Sequence, residues 1–233
     1  MSATRQRSPK APLLRSNREP IRPWIVLSAF SPELEWLSTY CRSKAMLRGE
    51  IVLETTGVGL VEAAAGASRV IACLGPEVRP RGVIFIGTAG VAPLKQRPEA
   101  LQAVVPDRIA LHCQRVTDGD AYLPGVMVSE VQANRALSRR LQQAGALPIP
   151  LAICPIGITR TRAPRLPRPF VENLEAFAVA RAAALLKLPF IAVLGISNTI
   201  GPNAHVEWKA NAKAASDAAC KTVASALLRA PSR

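Results

Sequence analysis

Apolar residues along this chain gather in short unbroken runs, and alanine-rich stretches with helical spacing separate those runs. That alternation predicts strands buried on both faces between layers of helices. Residues 24–29 (WIVLSA), 51–56 (IVLETT), 83–86 (VIFI) and 190–196 (FIAVLGI) read as strands, and 151–158 (LAICPIGI) as another. The segments 101–111 and 125–128 are weaker strand candidates. Helices are expected at 61–74, at 132–144 with Arg135, Arg139 and Arg140 outward, from residue 171 to Lys187, and at 208–228. Ser31, Pro32 and Glu33 read as a helix start, with Ser31 as N-cap and Glu33 as a first-turn acid. Small or polar residues follow the strands: Gly57-Val58-Gly59, Gly87-Thr88-Ala89-Gly90 and Ser197-Asn198 with Gly201. The pattern predicts an α/β domain with a largely parallel sheet and one pocket along its carboxyl edge.

Composition changes this picture little. A chain of 233 residues, nearly half apolar, fits one domain at 23–233 behind a basic segment at 1–22. That segment holds Arg5, Arg7, Lys10, Arg15, Arg18 and Arg22 against Glu19, so more than a third of the formal charge of +14 sits there. Nucleic acid is not an expected partner, because the remaining arginines lack interleaved aromatics. Neither is a membrane, since the longest apolar runs fall well short of the roughly 20 residues a crossing needs. Cys41, Cys73, Cys113, Cys154 and Cys220 are scattered without a CxxC pair, which favours a cytoplasmic location and no metal site. Gly57 and Gly59 invite a dinucleotide-binding reading, but Glu62 stands where the third glycine belongs, and no cofactor is expected.

Four segments in order, WIVLSAFSPELEWL, ETTGVGLVEAAAGA, GVIFIGTAGVAP and VENLEAFAVARAAALLKLPFIAVLGISNTIG, resemble the purine nucleoside phosphorylase and nucleosidase superfamily. The resemblance implies a three-layer α/β/α fold with a central mixed, largely parallel sheet distorted toward a barrel. It also implies cleavage of an N-glycosidic bond in a small nucleoside substrate, without cofactor or metal, by a homo-oligomer. Phosphorylases of this superfamily carry a phosphate-holding arginine two residues before the Gly-Thr turn, where Phe85 stands here. The hydrolytic branch is therefore implied.

By the same resemblance Glu33 activates the attacking water, and Leu174 and Glu175 match the sugar-binding Met-Glu pair. Thr88, Ala89 and Gly90 line the pocket beside Ser197. Asn198 stands where nucleosidases of methylthioadenosine and adenosylhomocysteine carry an aspartate that protonates the base. An amide cannot supply that proton, but it can hydrogen-bond N7 and the 6-oxo group of a hypoxanthine-like base. Together with Glu-Asn-Leu-Glu at 172–175, this looks like the futalosine hydrolase branch of menaquinone biosynthesis. The basic loop 159–169 is then expected to receive the substrate's carboxylate, Phe177 to reshape the pocket and Phe170 to stack on the base. A methylthioadenosine-type or adenosyl-lipid nucleosidase, a phosphorylase and a nucleoside-binding protein without turnover remain alternatives.

Overall fold

The computed structural model describes residues 21–44, 49–93, 101–159 and 163–227. Strand β1 (Trp24–Ser28) is buried at every position, and β3 (Gly82–Val91) and β8 (Phe190–Thr199) nearly so. This is the expected outcome for apolar runs with helices on both sides. The other strands are β2 (Ile51–Thr55), β4 (Ala103–His112), β5 (Glu130–Gln132), β6 (Leu147–Pro155) and β7 (Phe170–Glu172). The helices are α1 (Glu35–Ser43), α2 (Leu60–Ala72), the single turn α3 (Gln114–Thr117), α4 (Arg135–Gln143), α5 (Ala176–Leu185) and α6 (Ala204–Leu227).

The sheet is mixed: β1, β2 and β3 are parallel to one another, as are β3 and β8, and β4, β6 and β7. Antiparallel pairs join β3 to β7, β4 to β5 and β4 to β8. Strands β3, β7, β6, β4 and β8 thus form a closed ring, with β1 and β2 extending it on one side and β5 on the other. Helix α6 lies directly on β8, where a Cβ on Gly195 would meet the carbonyl oxygen of Ala215 at 2.1 Å. Only glycine permits that approach.

One consequence of the ring positions the site. Along one edge β3 pairs with β1 as far as Phe85 and then with β7 from Gly90. Residues 86–89 face no strand on that edge, so their backbone groups need other partners.

Several elements differ from the sequence expectation. Gly87-Thr88-Ala89-Gly90 is no turn but the second half of β3, and Ser197 and Asn198 lie within β8. Pairing between these two strands outweighs their small residues. Ser31 does not cap an α-helix: Ser31–Leu34 is a 3-10 turn with Phe30 at its N-cap, and α1 starts at Glu35. The helix expected from residue 171 starts at Ala176, because Phe170–Glu172 completes the ring as β7. No strand forms at 125–128, and β5 follows instead. Strand β6 begins four residues earlier than expected; Pro148 and Pro150 precede Leu151, where pairing with β7 starts, so their missing N–H groups cost no ladder bond on that side. Residue 132 belongs to β5, and Asn134 caps α4 by accepting from the Leu137 amide. The basic segment 1–22 lies outside the described residues except for Ile21 and Arg22.

Candidate active site

Thr88 occupies the unpaired stretch of β3, and side chains complete its backbone. Its N–H donates to Glu33 Oε1 at 3.0 Å, and its carbonyl accepts from Asn173 Nδ2 at 3.0 Å. The other Glu33 oxygen accepts from the Ala29 N–H at 3.2 Å, just past the end of β1. The 3-10 turn turns Glu33 inward, where it is only 4% exposed.

Asn173 joins this group to a second acid. Its Oδ1 accepts from the amides of Glu175 and Ala176 at 2.9 and 2.8 Å, which fixes the chain as it enters α5. Glu175 is 5% exposed, and its Oε1 accepts from the Gly59 N–H at 2.9 Å. Gly59 has φ of +87°, which turns that N–H from the β2–α2 connection toward the acid. Burial, and then the negative charge of Glu175, push the Glu33 carboxyl up to about 8. Burial also raises Glu175 above the usual carboxylate range. The buried Glu175 charge thus disfavours ionisation of Glu33, which leaves Glu33 poised near neutrality as a candidate acid or base.

Asn198 follows a β-bulge: Ala89 pairs with Ile196 but Gly90 with Asn198, so Ser197 is the extra residue. Bulges re-aim side chains beside sites. Ser197 is fully buried and its hydroxyl donates to Asn198 Oδ1 at 2.8 Å, which turns the Asn198 amide nitrogen away from it. A Cβ on Gly90 would meet that Nδ2 at 2.7 Å, so the amide lies over the glycine. Leu174 is half-buried between Asn173 and Glu175, and Ala89 is buried in the core.

Three further residues join the site: Glu172 and Asn173 belong to the Glu-Asn-Leu-Glu motif but have no individual role in the sequence reading, and Trp208 is not singled out there. Asn173 links the two acids. Trp208, on the first turns of α6, donates Nε1–H to Thr88 Oγ1 at 3.1 Å and stacks with His205. Glu172, the β7 partner of Gly90, accepts from both the Thr159 amide and its hydroxyl. Aromatic scarcity was the only available signal for Trp208.

Other expectations change. Phe177 packs in the main core, where its N–H donates to Cys154 Sγ, and does not reshape a pocket. Phe170 is fully buried in a small cluster with Ala92, Ile153 and Ile200, so it has no face to offer a base. Arg160 and Arg162 lie outside the described residues. Arg168 reaches the Pro93 carbonyl. Arg165 lines a cavity of about 610 Å³ past Thr159, together with His112, Gln114 and Ile156. At the position where an anion-holding arginine would mark phosphorolysis, Phe85 is fully buried.

No family model and no curated sequence matches this chain. Its fold, however, matches solved structures. A 5′-methylthioadenosine/S-adenosylhomocysteine nucleosidase from Neisseria meningitidis superposes with a TM-score of 0.73 at 19% identity, covering 88% of this chain and 98% of that one. Futalosine hydrolase of Helicobacter pylori gives 0.74 at 13% identity, over 89% and 97%. The methylthioadenosine/adenosylhomocysteine nucleosidase of the same bacterium gives 0.74 at 14%, over 89% and 98%. The chain therefore has the fold of these enzymes.

Proposed function

We propose that this chain, built on the nucleosidase fold, hydrolyses the N-glycosidic bond of a purine nucleoside. The observation that carries the reading is the buried pair Glu33 and Glu175, held beside each other at the gap in β3 by Thr88 and Asn173. Glu33, near 8, suits a general base that takes a proton from water at neutral to slightly alkaline pH. Glycosidic cleavage makes a cationic, oxocarbenium-like sugar, and the charge of Glu175 stabilises it while accepting from a ribose hydroxyl. The C1′–N9 electrons leave with the base, and the water oxygen bonds C1′ as its proton passes to Glu33. Asn198 holds the leaving base through Nδ2–H but gives it no proton, so solvent protonates it. Thr88 lines the sugar side with Leu174, Gly90 lies under the base, Ala89 stays in the core, and Ser197 orients Asn198.

Hydrolysis is favoured over phosphorolysis because the fully buried Phe85 supplies nothing to hold phosphate. Asn198 favours a 6-oxo purine, and futalosine is the substrate we propose. The stacked His205 and Trp208 beyond Thr88 offer a flat surface to its aromatic arm. Arg165 lines the cavity past Thr159, on the base side in this pose, and does not meet the carboxylate. A second reading, release of adenine from a methylthioadenosine-type nucleoside, draws on the likeness to the Neisseria enzyme.

Base release from futalosine, inosine and methylthioadenosine without phosphate, followed by chromatography for wild type and Glu33→Gln, tests the reading. Hypoxanthine from futalosine, lost in the variant, is expected. Adenine release supports the second reading, and no release without phosphate ends the hydrolase reading.

A further inference from the structure

Three strands place Asn198, Gly90 and Glu172 side by side: Gly90 pairs with Asn198 of β8 on one edge and with Glu172 of β7 on the other. Residues paired across strands present their side chains to the same face. The glycine leaves that face open, so the Asn198 amide nitrogen lies over it while Glu172 rises roughly 5 Å away on the next strand. A donor and an acceptor thus flank one bare backbone position on the same strand as Thr88.

Glu172 is 6% exposed, yet its carboxylate is not used up. The Thr159 amide donates to one oxygen at 3.2 Å and the Thr159 hydroxyl to the other at 2.6 Å. Each oxygen keeps a lone pair, and both Thr159 donors are spent on this carboxylate. Asn198 Oδ1 is likewise engaged by Ser197, and one Nδ2–H donates to the Thr199 carbonyl at 3.3 Å, which leaves the second Nδ2–H as the amide's free donor.

We infer that Glu172 and Asn198 read one edge of the base as a pair: Asn198 Nδ2–H donates to N7 and the 6-oxo oxygen, and Glu172 accepts from N1–H. This rests on the purine nucleosidase reading and narrows it to 6-oxo purines. A 6-amino purine presents a donor at C6 and a lone pair at N1, so donor would face donor and lone pair would face carboxylate. Buried polar groups left without partners give strong discrimination, commonly a hundredfold or more.

The test is direct binding of free hypoxanthine and adenine, by calorimetry, to wild type, Glu172→Gln and Thr159→Val. Glutamine keeps the loop contact, because its oxygen still accepts from the Thr159 amide and its NH2 donates to the hydroxyl. It also removes the charge and offers N1 a donor. Wild type is expected to prefer hypoxanthine, the preference to fall at least about tenfold in Glu172→Gln, and Thr159→Val to keep it. The inference is overturned if wild type prefers adenine or binds neither base, or if Glu172→Gln keeps the preference. A Thr159→Val variant that loses the preference as fully as Glu172→Gln also overturns it, since the loop rather than the carboxylate would then read the base. Because the readout is binding, a confirmed preference with no base release would sink the hydrolase reading and leave this pair standing.

Discussion

Glu33 sits where stability and chemistry pull in opposite directions. Its folded value near 8 lies above the ordinary 4.5, so between those values the folded protein holds a proton that the unfolded chain releases. Its contribution to stability is present in full below about 4.5 and is lost as pH rises to about 8, a few kcal/mol at about 1.4 per unit. Thermal unfolding across that window should show wild type losing stability with pH more steeply than Glu33→Gln. At low pH the variant should be the less stable, because its NH2 must face a backbone N–H. Turnover runs the other way: kcat/KM for base release should climb with pH and level off above about 8. Glu33→Gln should lower it roughly 10²–10⁴-fold. A profile that falls across the same range would remove Glu33 from the role of base.

Strand β3 and helix α6 build the site together. The strand changes partner from β1 to β7, and the gap leaves the Thr88 N–H and carbonyl for Glu33 and Asn173. Helix α6 closes the other side: Trp208 reaches the Thr88 hydroxyl, and the Cys220 thiol donates to the Glu33 carbonyl at 3.2 Å. Its seat on β8 depends on Gly195. Gly195→Ala would drive a methyl into the Ala215 carbonyl, which is backbone and cannot swing aside, at a cost of about 3 kcal/mol or more. A drop of roughly 6–12 °C in melting temperature is the expected reading, and an unchanged value would mean that α6 does not need this approach. The elements themselves were legible, because a buried strand shows itself as an apolar run such as residues 190–196. Their ends were not. Gly87 to Gly90 looked like a turn because small residues serve a turn and a tightly paired strand equally well.

For the whole molecule, we propose a homo-oligomer. Val58 in the β2–α2 connection, Val61 at the start of α2 and Val206 at the start of α6 leave apolar side chains in solvent around the site. Sedimentation velocity should give at least twice the chain mass of 24.9 kDa, and Val61→Asp should shift it toward the monomer. A wild-type monomer at all concentrations would end that proposal. Among the described residues no helix is long and apolar enough to cross a membrane. By itself the sequence determined the α/β layering, most of the strands, and the residue types at Glu33, Glu175 and Asn198, since burial and local motif are written in neighbouring residues. Only the tertiary structure decided that β3 opens a gap at Thr88, that Asn173 ties the two acids together, and that Trp208 and Glu172 face the same site. Asn173 meets Thr88 across 85 residues and Trp208 meets it across 120. Such pairings follow from strand register and ring closure, which periodicity along the chain does not encode.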